Sequence, residues 1–230
     1  MTSNLDEFPE PGLRDAVRVG ADASIAAVPL VGGSLQILLQ STVVPSLEKR
    51  RNAWLRELGV LVSELNDKVD DFDISSLIDN DMFVTALVEA SRIAAGTHLE
   101  EKLTILKNCL AHLAIDQSST DFLSMLFFRF VDELQPEHFV ILKYFAAPRA
   151  WFDAKEIEKP SLMSASAMHL AKLANLPLSD DELELALRDL GDRGLLEAAE
   201  SLRGMSTQTG MWAPKSTELG NQLLRFTEDI

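Results

Sequence analysis

Apolar and polar positions follow a helical period along most of this chain, and one stretch carries no charge at all. From Ala23 to Leu47 there is no Asp, Glu, Lys or Arg, and the run ends abruptly at Glu48-Lys49-Arg50-Arg51. A bilayer span needs about 20 mostly apolar residues, so length alone would allow one. Pro29, Gly32, Gly33, Gln36 and Gln40 interrupt it. An interior Pro costs a helix about 3 kcal/mol, and each Gly about 1 kcal/mol relative to Ala. The pattern predicts two short apolar segments broken at Pro29 to Gly33, with Val28, Leu30, Leu35, Leu38 and Leu39 folded back onto the next apolar stripe.

That stripe follows Pro45, a residue suited to the first turn of a helix because its missing N–H is no loss there. Leu47, Trp54, Leu55, Leu58, Leu61, Val62 and Leu65 recur at helical spacing, which leaves Arg51, Arg56, Glu57 and Glu64 for the wet side. Asn66 to Ser76 breaks the pattern. A second helix is predicted over 81–95, with Met82, Phe83, Ala86, Leu87, Ala90 and Ile93 on its apolar face and Gly96 at its end. Thr97 and Glu100 have the spacing of a capping box, ahead of a helix carrying Leu99, Leu103, Leu106, Leu110 and Leu113. Residues 121–134 are apolar almost all round, the mark of a helix at the centre of a bundle. Phe122, Leu126, Phe127, Phe130 and Val131 are its predicted buried set. Gln135-Pro136-Glu137 restarts the chain, Phe139, Val140, Leu142 and Phe145 follow, and Pro148 stops it.

The grammar changes after Pro148. A Ser-rich helix over 161–175 precedes Ser179-Asp180-Asp181-Glu182, a second capping box, and a helix to Asp192 that Gly194 ends. Residues 195–201 and 211–215 are expected to pair as a short hairpin, and a last helix runs over 217–228. The predicted fold is mainly α, an N-terminal helical bundle followed by a smaller winged-helix-like unit with one short β-hairpin. Residues 1–12 read as a flexible tail, 13–148 as the bundle including the uncharged segment 23–47, and 149–230 as the winged-helix-like unit.

Charge narrows the function. Of 230 residues, 21 are basic and 36 acidic, a formal charge of -15, which repels phosphate backbones and excludes a broad nucleic-acid surface. In the helix that would enter a groove, Asp180, Asp181, Glu182, Glu184 and Asp189 stand where major-groove readers carry Arg, Lys, Asn or Gln. Lys49-Arg50-Arg51 is the dense basic cluster. One cysteine, Cys109, excludes an intramolecular disulfide framework and fits a reducing compartment. The acid-rich residues before Ala23 lack the basic start of a secretory signal. The expected location is cytoplasmic, with a peripheral place at the inner membrane as the alternative.

Candidate chemistry is sparse. Cys109 and His112 share a helical face, but neither a metal site nor a nucleophile pair is complete without further partners. Asp67, Asp70, Asp71 and Asp73 lack the Gly turn and terminal Glu of a calcium loop. Gly32-Gly33 has neither the preceding strand nor the GK[ST] of a phosphate loop. Ser164 and Ser166 near His169 have no nucleophile elbow around them. No catalytic, cofactor or metal residues are assigned, and Leu35, Leu38, Leu39, Lys49, Arg50 and Arg51 are the candidate lipid or partner contacts.

Several segments together resemble a known family. They are Val28 to Gly33, the basic Trp-containing start Lys49 to Trp54, Glu101-Lys102 with Asn108, and Leu134-Gln135-Pro136-Glu137-His138. Gly191 to Leu195 and Thr217-Glu218-Leu219-Gly220 complete the set. In this order, over 23–226, the chain resembles bacterial abortive-infection alpha-type proteins, all-helical proteins with a winged-helix-like end. The resemblance implies a cytoplasmic bacterial protein tied to phage defence or stress, and brings no catalytic residues with it. The expected function is non-enzymatic, through protein–protein contacts. Its partner is a protein or a second copy, without nucleic acid or cofactor, and with lipid only conditionally. The alternative is a membrane-active effector that uses residues 23–47 beside Lys49, Arg50 and Arg51.

Overall fold

The computed structural model describes residues 44–68, 74–115 and 120–230. The expectations for the tail, for the break at Pro29 to Gly33 and for Leu35, Leu38 and Leu39 lie outside them. Contacts divide the chain between Arg51 and Asn52, and the packing that follows is that of residues 52–230.

Helix α1 (Val44–Lys68) has Pro45 in its first turn. Within residues 52–68 it buries a narrow line, Trp54, Leu61 and Leu65. The indole Nε1 of Trp54 donates to Ser91 Oγ at 2.9 Å. The predicted stripe was wider: Leu58 is half-buried, while Leu47, Leu55 and Val62 are exposed. Glu64, expected in water, turns to the Lys107 ammonium, which donates to both its oxygens at 2.9 Å.

Helices α2 (Ile74–Ile78) and α3 (Asp81–Gly96) follow. Asn80 caps α3 by accepting from Phe83 N at 3.1 Å, which satisfies one of the free N–H groups every helix start carries. The buried face of α3 is Phe83, Ala86, Ala90, Ile93 and Ala94, and its small residues let neighbouring helices approach closely. Helix α4 (Glu100–Ile115) does not begin with the predicted capping box. Thr97 Oγ1 accepts from Leu99 N at 3.2 Å, and the first turn closes on Leu99 O. The hydroxyl is spent on a local turn two residues on, a common competitor for a cap.

Helix α5 (Asp121–Glu133) is capped by Thr120 and packs against both α3 and α4. It buries Ser124, Phe127, Phe128, Phe130 and Val131. Two of its predicted core residues differ: Leu126 is half-buried and Phe122 is 75% exposed. Phe122 lies roughly 140° around the helix from Phe127, on the arc that also holds Leu126, Arg129 and Glu133.

Pro136 opens α6 (Pro136–Ala146), and Pro148 opens the short α7 (Pro148–Ala154). Strand β1 (Ser164–Ser166) and α8 (Ala167–Lys172) replace the Ser-rich helix expected there. Ser166 ends the strand and caps α8 by accepting from His169 N at 3.0 Å. The capping box of α9 (Asp180–Asp192) forms as expected, with Ser179 and Glu182 each accepting from the other's backbone N–H. Gly194, at φ +71°, closes it in the left-handed conformation that glycine adopts without strain.

The chain ends with α10 (Ala199–Arg203), β2 (Met205–Thr207), α11 (Gln208–Met211) and α12 (Glu218–Thr227). Among the described residues the structure is mainly α with one short antiparallel strand pair, but its strands are β1 and β2, in register Ser164–Thr207, Ala165–Ser206 and Ser166–Met205. The segments expected to pair, 195–201 and 211–215, form no strands: Glu197 N donates to Lys215 O at 2.9 Å and Leu196 bridges Ser216, one residue beyond the second segment, with α10 and α11 between them.

Helix α12 packs on α4 and α6, and α9 also packs on α6. The Phe226 ring meets Phe127 at 5.3 Å and Phe128 at 5.9 Å between centroids. Phe152 and Trp212 meet edge to face at 5.1 Å, a geometry favoured by aromatic quadrupoles. Where α12 begins, Gly220 lies so close to Leu195 that an added Cβ would sit 2.2 Å from its carbonyl oxygen.

Candidate functional site

The basic start of α1 is the part of the predicted contact set that the structure describes. Lys49 and Arg51 are exposed, Arg50 is half-buried, and Leu47 and Leu55 lie exposed on the same helix. Most cations elsewhere are held by their own chain. Arg92 pairs with Glu89 and Asp132, Lys143 with Glu228, and Arg225 with Glu218. Arg149 and Lys155 stand over tryptophan rings. Lys49, Arg51 and Arg56, together with Arg188 on α9, are the described cations with no ion pair, hydrogen bond or ring contact of their own among the described residues. Three unneutralised cations within three turns of one helix make a local positive field in a strongly negative chain.

Cys109 and His112 do not form a pair. The Cys109 thiol is fully buried, and burial pushes its pKa up, the reverse of what a nucleophile needs. His112 Nε2 lies 3.1 Å from Glu228 O. Asp67 is exposed on the last turn of α1, and Asp70, Asp71 and Asp73 lie outside the described residues. Among the described residues no cluster of His, Cys, Asp and Glu could hold a metal ion, and no helix is long and apolar enough to cross a membrane.

Two polar groupings were not legible in the sequence. The first joins α5, α6 and α9. Arg193 binds Asp189 and Glu133, and Arg129 also binds Glu133. Hydrogen bonds from Arg129 and then Arg193 hold the Glu133 carboxyl below its ordinary pKa. His138 Nδ1 accepts from Gln135 N at 3.1 Å, which leaves its Nε2 to face Asp189 at 3.5 Å. Burial lowers the His138 pKa, against the opposing pull of Asp189.

The second is a cleft of about 310 Å³ between the turn joining α3 to α4 and the end of α5. Arg92, His98, Lys102, Asp132 and Gln135 line it. Lys102 is 5% exposed, and its Nζ donates to Asp132 O at 2.7 Å. Desolvation lowers its pKa. No spacing in the sequence marks these residues, because they come from separate segments of the chain. No family model matches this chain, and neither a curated protein nor a solved structure matches it.

Proposed function

We propose that this chain is a non-enzymatic binding protein that works through contact with another protein, and that the first half of α1 makes the contact. The observation behind this reading is Arg51, with no ion pair among the described residues and on one helical face with exposed Leu47 and Leu55, while Lys49 and Arg56 stand on the other side of the same helix. Exposed surface ion pairs are each worth about 1 kcal/mol or less, so the leucines would supply the affinity. The cations would steer and orient an acidic partner. The partner is accordingly an acidic surface with exposed apolar side chains. The resemblance to abortive-infection alpha-type proteins extends the proposal to phage defence or stress in a bacterium.

A photo-crosslinking residue at Leu55 should give protein adducts of discrete mass in cells, and one at exposed Glu156 should not. Lys49→Glu with Arg51→Glu should abolish the adducts, and the partner so identified should bind the purified chain in a salt-sensitive way. Equal adducts from both positions would sink the reading.

The uncharged run 23–47, which ends at exposed Leu47 just ahead of Lys49, Arg50 and Arg51, favours one second reading, a membrane-active effector. Vesicles of phosphatidylcholine and phosphatidylglycerol should then float the full chain but not a chain beginning at Glu48. Flotation of neither removes the membrane reading.

A further inference from the structure

His138 holds the start of α6 through a bond that only its neutral ring can make. Its Nδ1 accepts from the Gln135 N–H at 3.1 Å. A neutral imidazole carries one proton, so that proton sits on Nε2, which faces Asp189 Oδ2 at 3.5 Å. The ring therefore stands between a backbone donor on one side and a carboxylate on the other. A second proton has one place to go, Nδ1, where it would point at the Gln135 N–H. An imidazolium has two donors and no acceptor, so it cannot keep the cap. Burial holds the ring's pKa below 6.5 against the pull of Asp189, which keeps the neutral, capping form in place at neutral pH.

The frame around the ring does not follow it. Asp189 and Arg193 face His138 from α9, and Glu137 acts on it from α6 itself. Glu133 of α5 connects to it through Arg193. Arg193 Nε donates to Asp189 Oδ1 at 3.0 Å, which leaves Oδ2 turned to the ring. Hydrogen bonds from Arg129 and Arg193 hold the Glu133 carboxyl below its ordinary pKa, so mild acid leaves it charged. The Nε2–H of an imidazolium keeps its carboxylate, while the Gln135 N–H loses its acceptor. We infer that His138 is an acid-operated cap: protonation of its ring frees the Gln135 N–H and loosens the first turn of α6, while Arg129, Glu133, Arg193 and Asp189 keep α5 and α9 joined. Gln135 also borders the cleft lined by Arg92, Lys102 and Asp132, so the change is made at the rim of that cleft.

Nitrogen NMR of the full chain, taken from about pH 7 to about pH 5, tests this. At the upper end Nδ1 of His138 should carry no proton, and a coupling across the hydrogen bond should join it to the Gln135 amide nitrogen. That coupling should vanish as the ring titrates. Over the same range the Gln135 amide should exchange with water at least about tenfold faster than solvent pH alone accounts for, while amides of α4 and α12 keep their protection. Asp189→Asn removes the carboxylate that favours the imidazolium and should move the loss of the cap to lower pH. His138→Gln should hold the Gln135 amide steady across the range, because its side-chain oxygen accepts without titrating. If the His138 variant fails to fold, the Asp189 variant carries the test. A proton on Nδ1 at neutral pH, a coupling that survives the titration, or a midpoint that ignores Asp189→Asn overturns the inference. Protection lost in α4 and α12 together with Gln135 also overturns it, since that is global unfolding rather than a local cap.

Discussion

At the scale of single residues, burial in α5 separates two phenylalanines that the sequence presents alike. Phe130 is 6% exposed and Phe122 75%. Phe130→Ala should therefore destabilise by about 3–5 kcal/mol, the loss of transfer energy plus a cavity. Phe122→Ala should change stability by less than about 0.5 kcal/mol, both read by chemical denaturation. Equal effects would place α5 wrongly. His138 offers a test in pH. Its folded pKa lies below the ordinary value of 6.5, chiefly through burial, with Asp189 and Glu137 pulling it up and Arg193 pushing it down. The unfolded chain then binds the proton more readily, so stability is full above pH 6.5 and falls as pH drops from there through the folded pKa. Protonation would also put a hydrogen on Nδ1, which now accepts from Gln135 N. In His138→Gln the side-chain oxygen can accept in the same place without titrating. The variant should lose less stability than the parent between about pH 7 and pH 5; identical slopes would remove His138 as the cause.

At the scale of elements, what was legible is what short-range chemistry decides. Ser179 and Glu182 announce α9 because each satisfies the other's backbone N–H. Pro136 announces α6, and Gly194 announces the end of α9. Thr97 and Glu100 share the capping-box spacing, but a two-residue turn captured the hydroxyl. Strands β1 and β2 have three residues each and carry Ser, Ala, Met and Thr. That is too short to show a period of two, and neither strand lies near its partner in sequence. The candidate contact set was legible as far as Lys49, Arg50 and Arg51, since a basic cluster needs only adjacency. The cleft lined by Arg92, Lys102 and Asp132 was not, because packing of three helices assembles it. Gly220, where α12 meets Leu195, gives the sharpest test at this scale. A methyl group there would have to displace a backbone oxygen from 2.2 Å and also crowd Leu142 Cδ1 at 3.1 Å. Gly220→Ala, which favours a helix by propensity, should nevertheless destabilise by about 1–3 kcal/mol. A stabilised variant would show that α12 stands off from Leu195.

At the scale of the molecule, charge and connectivity set the behaviour. Asp180, Asp181 and Glu182 are exposed at the start of α9, and a net charge of -15 surrounds them. Purified protein should therefore give no shift of duplex DNA at physiological salt; binding lost on raising salt would contradict this. Connectivity makes a stronger demand. Residues 52–230 form one contact unit, because α12 returns to α4 and α6 rather than staying with its sequence neighbours. The Asn108 amide donates to Thr227 O at 3.0 Å, and Phe226 packs on Phe127 and Phe128. The end of the chain thus completes a core begun a hundred residues earlier, while Phe152 and Trp212 pack on each other well apart from it in sequence. If these regions unfold together, Phe226→Ala and Phe152→Ala should each lower the same thermal transition, by several degrees for a core loss of about 3–5 kcal/mol. Calorimetric and van't Hoff enthalpies should agree for that transition. Two melting steps, one moved by Phe226→Ala and the other by Phe152→Ala, would show two independently folding parts and would break the link that α12 makes across the bundle.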